Sequence, residues 1–212
     1  MYGILIFLGA VFIYTMRRRN NLEKQVELFN RLLYIEKSPE RYILEVEKLL
    51  GKVQSEKERN INLIQKTTGL FYLGKFDDAI EILVEEITKI PPNWQSIYYH
   101  NLLLSLYFNN DTERANSTLN EVKSTLDMYY KKDYNKITIE LIYAIADFFN
   151  GDTDKHKEFF NNLSAVSKNE YRVALGYYFM SQISEFEHKH EDAEEYLEKA
   201  RTYGHGSFIE KL

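Results

Sequence analysis

The sequence has no cysteine, only three prolines and only nine glycines among 212 residues. Without cysteine there is no disulfide, no thiolate nucleophile and no cysteine-ligated zinc or iron–sulfur centre. Few prolines leave long helices uninterrupted. Strand signals are missing too: no alternating apolar run is bounded by Asn-Gly or Asp-Gly. HExxH, GxSxG, GxxxxGK[ST] and GxGxxG are all absent, which removes the common hydrolase, P-loop and dinucleotide signatures. Acid pairs such as Asp77–Asp78 and Glu85–Glu86 are helix neighbours that do not converge on one substrate. No catalytic residue, metal site or cofactor is therefore expected, and the chain does not read as an enzyme.

Charge is missing from residues 1–16, MYGILIFLGAVFIYTM, and no acid precedes Arg17, Arg18 and Arg19. With those three set aside, 24 basic residues face 32 acids, so the rest of the chain carries about −8. So acidic a body excludes nucleic acid as a principal partner, because phosphate binding needs clustered Lys and Arg. The apolar run predicts a single-pass anchor in the lipid bilayer. As a helix it covers roughly 24 Å, and snorkelling arginines and Tyr14 extend its reach. Positive charge follows the run instead of preceding it, unlike a cleaved signal peptide. Basic flanks stay in the cytoplasm, which places the C-terminal body there. Residues 1–19 are thus read as anchor and basic flank, 20–206 as one helical domain, and 207–212 as a short tail.

What the body does contain is helical periodicity. The composition, 44% hydrophobic and 28% charged, is that of a folded protein, and Lys, Asn, Ile and Tyr in quantity suggest a bacterial source. Apolar residues recur three and four apart throughout. The helices break at Gly51, Gly74, Pro91–Pro92, 109–111, 150–152, 187–192 and 204–206. The small or central residues of successive second helices are Tyr42, Ala79, Ala115, His156 and Ala193. Their near-regular spacing signals stacked pairs. The longest interval contains DMYYKKDYNK, read as a lengthened connection. In GKFDDAIEIL, Gly74 turns the chain and Ala79 marks a close helix crossing.

At these residues the sequence resembles the tetratricopeptide repeat family. Leu63, Leu70, Gly74, Phe76, Ala79, Leu83, Ile87 and Pro91 follow its pattern, and the other pairs follow it in part. Lys66, Asp147 and His156 depart from it. The resemblance implies an all-α, right-handed solenoid of about five antiparallel helix pairs. It also implies a concave groove lined by Ile61, Ile64, Thr68 and Phe71, by Ile97, His100, Leu104 and Tyr107, by Leu141, Ile145 and Phe148, and by Tyr178 and Gln182. That stripe lacks the Lys and Asn set with which some members clamp a terminal carboxylate. The expected function is a membrane-anchored interaction module holding an apolar or amphipathic segment of another protein at the same membrane. Self-association is a further possibility. The alternative is a sensor or enzyme using a small ligand or metal within the helical array. His188, His190, Glu191, Asp192 and His205 come nearest to a metal cluster, but two histidines two apart on a helix do not face each other.

Overall fold

The computed structural model describes residues 16, 19, 20, 22–53 and 55–212. The anchor expected over 1–16 falls outside the described residues apart from Met16. Among the described residues no helix is long and apolar enough to cross a membrane, and there is no strand.

The chain is all-α. Helix α1 covers 22–30 and widens into a π-helical turn at Arg31–Ile35; α2 is Pro39–Leu50 and α3 Glu56–Tyr72. Helix α4, Phe76–Glu81, also ends in a π turn, Ile82–Glu86. Then come α5 Gln95–Phe108, α6 Thr112–Tyr130, α7 Asp133–Phe149, α8 Lys157–Val166, α9 Glu170–Phe186 and α10 His190–Tyr203. A short 3-10 helix, Phe208–Lys211, follows. Neighbours in sequence pack side by side across short turns, as α2 does on α3, α3 on α4, α8 on α9 and α9 on α10. The DMYYKKDYNK stretch is mostly helix: α6 runs to Tyr130 and α7 restarts at Asp133, so the extra length there extends a helix.

The repeat is written in the turns. Lys37, Gly74, Asn110, Gly151 and His188 all have positive φ, from 49° to 90°. Each lies five residues before Tyr42, Ala79, Ala115, His156 and Ala193 in turn. In four of them the backbone closes in one way: the next residue's N–H reaches back five residues, Lys75 to Leu70, Asp111 to Leu106, Asp152 to Asp147 and Lys189 to Ser184. That is the Schellman cap, which occupies carbonyls the helix end leaves unpaired. In three of the four, the residue before the turn reaches the preceding pair: Asn109 Nδ2 to Asp77 Oδ1 at 2.7 Å, Asn150 Oδ1 from Asn116 Nδ2 at 2.6 Å, and Glu187 to Lys157. His188 is thus a turn residue. The two departures Asp147 and His156 satisfy one another at 2.8 Å across their turn. Burial would raise the Asp147 carboxyl, but hydrogen bonds from Lys155 and His156 hold it below its usual range.

The array closes on itself. Lys37 Nζ, between α1 and α2, lies 2.5 Å from Glu170 Oε2 at the start of α9 and donates to the Tyr203 carbonyl at 3.2 Å. Tyr171 stacks near Tyr72, ring centroids 4.3 Å apart, and meets Tyr34 at 6.3 Å. The 207–212 stretch, expected as a tail, is part of the folded body. Phe208 packs on Phe71, Phe76 and Phe108 with centroids 5.1–5.7 Å apart, and Ile209 is fully buried.

Gly74 serves both turn and closure. Its φ is +73° and an added Cβ would lie 2.9 Å from Phe208 Cβ, whereas Gly151, at +90°, has open space around it. Gly74→Ala and Gly151→Ala should each lose about 1 kcal/mol to left-handed strain. Gly74→Ala should lose a further ~1–2 kcal/mol from the clash, read as a lower urea midpoint. Equal midpoints would mean that Phe208 does not rest on that turn.

Candidate functional site

Closure decides the fate of the expected groove. Ile64, Phe71, His100, Leu104, Tyr107, Leu141 and Ile145 are buried. Ile61, Thr68, Phe148, Tyr178 and Gln182 are half-buried, and Ile97 is exposed. The stripes do face inward together, as their spacing of three and four requires. They meet other helices and one another there: Phe71 lies against Phe208, Phe148 against Phe179 at 4.9 Å, and Tyr178 against Phe108 at 6.0 Å. An open apolar groove running along these residues is not what the structure presents.

What remains open on the inner side is a cavity of about 350 Å³. Its aromatic walls include Phe29, Tyr34, Tyr42, Tyr72 and Trp94. Gln65 and Thr68 enter it from α3, His100 and Asn101 from α5, Thr138 from α7, and Asn169 and Arg172 from the start of α9. Of the expected groove residues only Thr68, Ile97 and His100 line it.

One amide organises this polar floor. The Thr67 and Thr68 hydroxyls both donate to the Ile64 carbonyl, at 2.8 and 3.3 Å. Each hydroxyl oxygen is left to accept, so the Asn101 NH2 points at them, at 3.1 and 2.8 Å, and at Ile64 O at 3.2 Å. The Asn101 carbonyl oxygen therefore faces His100 Nδ1 at 3.2 Å and must accept from it. His100 is then the Nδ1–H tautomer, with a bare acceptor at Nε2. That Nε2 is buried and unpartnered, as is Gln65 Oε1.

Electrostatics follow from one cation. Arg172 Nη2 donates to Thr138 Oγ1 at 2.6 Å, and among the described residues no carboxylate lies within ion-pair distance of its guanidinium. Burial, helped by the Arg172 charge, lowers the His100 pKa from 6.5 to about 4. Burial pushes the Tyr34 and Tyr72 hydroxyls up while Arg172 pulls the other way.

A pH dependence follows. Between pH 4 and 6.5 the unfolded chain takes up a proton at His100 that the folded chain refuses. Stability from this group is complete above pH 6.5 and falls as pH drops through that window. Moving from neutral to about pH 5 should remove about 2 kcal/mol, and His100→Gln should flatten that part of the curve. Urea unfolding at several pH values checks it; equal slopes in both proteins would contradict a buried neutral imidazole.

The histidines singled out as metal candidates do not converge. The His188 and His190 rings are 6.5 Å apart, His190 pairs with Glu185 at 2.9 Å, and His205 pairs with Glu210 at 2.7 Å. Among the described residues no group of three or more His, Asp or Glu could hold an ion.

Gln65, Asn101, Thr138 and Arg172 escaped the sequence reading. A signal was there: Thr67, Asn101, Thr138 and Arg172 recur at intervals close to the repeat length. Apolar periodicity does not reveal it, because these polar residues fall on different helices and meet only in the folded chain. Compared with known proteins, the chain matches no family model, no curated protein and no solved structure.

Proposed function

We propose that the chain is a membrane-tethered, non-enzymatic binding protein that holds an apolar or amphipathic segment of another protein at the same membrane. In this reading residues 1–16 are the anchor, the body is cytoplasmic, and the helix pairs form a tetratricopeptide-like right-handed solenoid drawn shut. The five turns in one register and the Schellman caps support the repeat assignment. The anchor rests on the uncharged run followed by three arginines.

One observation carries the partner reading. Leu22, Val26 and Ile35 on α1 are 54%, 55% and 75% exposed, and they line a shallow surface groove. Val26 also lines the cavity, whose rim adds Ile97 and Tyr134, the latter 78% exposed. A continuous apolar path of this kind, edged by Glu23, Glu27 and Arg31, is the type of surface a partner covers. It begins near the membrane flank, so a partner in the same bilayer would reach it first.

Photo-crosslinking residues placed at 26, 35 and 134 in native membranes test this, with 84 and 128 as exposed apolar controls on the second helices. One shared partner trapped from the first three positions and not from the controls is the expected result. Trapping from the controls alone, trapping equally from all five, or trapping only a second copy of this chain would overturn it.

A second reading, small-ligand binding, is favoured by the cavity itself. Its volume lies at the lower end for ligand pockets, with aromatic walls and a few convergent polar groups.

A further inference from the structure

We infer that the inner cavity is a binding site for a small organic anion, a carboxylate on a flat apolar body that also carries N–H or O–H donors. This stands apart from the partner reading, and either can fail without the other.

Three unmet groups in one cavity define that chemistry. Arg172 presents a guanidinium with no carboxylate partner among the described residues, held in place by its bond to Thr138 at 2.6 Å. A fork of donors of this kind matches a carboxylate. The other two unmet groups are acceptors. His100 is 8% exposed, and its Nε2 has a lone pair and no donor. Gln65 Oε1 is likewise buried without a donor. Leaving a buried acceptor unpaired is unfavourable, so two in one cavity point to a ligand that supplies their hydrogen bonds.

The tautomer makes the acceptor requirement strict. Asn101 is fixed by Ile64, Thr67 and Thr68, so it cannot turn its NH2 toward His100 without abandoning three bonds. The low His100 pKa keeps the ring neutral at ordinary pH, so Nε2 does not itself become a donor to an anion. An anion lacking donors would satisfy Arg172 and leave the other two groups bare. A neutral molecule would do the reverse. Tyr34, Tyr42, Tyr72 and Trp94 supply flat apolar walls between these polar points. The volume of about 350 Å³ suits a single-ring molecule better than an extended peptide.

Trp94 is the chain's one tryptophan and lines this cavity, so its fluorescence reports occupancy without a label. The full-length protein in lipid nanodiscs is titrated with 3-hydroxybenzoate, 4-hydroxybenzoate and L-phenylalanine. Benzoate lacks the donor, phenol lacks the anion, and the peptide Gly-Gly-Phe carries its carboxylate on a chain end. At least one of the first three should give a saturable change in Trp94 emission, at least about tenfold tighter than benzoate or phenol. Arg172→Met should weaken that binding about tenfold or more, and Gln65→Glu, which adds a like charge, should abolish it. The two variants act from different helices, so misfolding of one leaves the other to decide. No saturable change with any probe, equal affinity for benzoate or phenol, unchanged binding in a folded Arg172→Met protein, or binding of the peptide alone would each overturn the assignment.

Discussion

Replacing Phe208 and Ile209 together by alanine should remove about 4–7 kcal/mol of unfolding free energy, a large share of the ~5–15 kcal/mol a domain typically has. Ile209 is fully buried, and Phe208 meets three other phenylalanine rings, on α3, α4 and α5. Losing both side chains leaves cavities beside Phe71, Phe76 and Phe108, and the cost grows with the volume that the surroundings fail to refill. Because the residues are adjacent, the double loss need not equal the sum of the single ones. Urea unfolding followed by circular dichroism gives the value. A loss below about 1 kcal/mol would show that the 3-10 helix rests on the array without holding it.

The second large effect concerns a residue that the tetratricopeptide resemblance assigns to the partner groove. Tyr107 is fully buried, its ring stacks on Phe149 at 5.3 Å, and its hydroxyl donates to Asn116 Oδ1 at 2.7 Å. Tyr107→Ala should therefore destabilise the fold by about 3–5 kcal/mol, and Tyr107→Phe by about 1 kcal/mol through the lost bond alone. Phe148 is only half-buried, so Phe148→Ala should be milder. Thermal unfolding of the three variants checks the order. If Tyr107→Ala melts with the wild type, the inward stripe is surface after all.

The helix pairs were legible because their signals are local. Ala79, Ala115 and Ala193 mark one position, Gly74 and Gly151 another, and periodic apolar residues fix which side of each helix faces in. The turn conformation at Lys37, Asn110 and His188 was not legible, since none of those residue types demands positive φ. Nor was closure. It depends on Lys37 meeting Glu170, on Tyr72 meeting Tyr171 and on Phe208 reaching Phe71, contacts made between residues far apart in sequence that no periodicity encodes. Apolar spacing therefore marks the inward face of α3, α5 and α7, while the open groove implied by the resemblance is filled by other helices. The polar floor was missed for a related reason. Asn101 and Arg172 look like isolated polar residues until the fold brings them to Thr67 and Thr138.

The array is shut, with its first and fifth pairs in contact through Lys37, Glu170 and the Tyr203 carbonyl. The chain has no cysteine, so Lys37→Cys with Glu170→Cys gives two thiols and no others. In the structure those side chains lie 2.5 Å apart, nitrogen to oxygen. In an open stack of pairs, four steps of 8–10 Å would separate them by roughly 30–40 Å. A short bis-maleimide added to the intact protein in its membrane should join the two cysteines quickly within one chain, and urea should abolish the reaction. Efficient single labelling at both sites with no intramolecular link before unfolding would contradict the closed array.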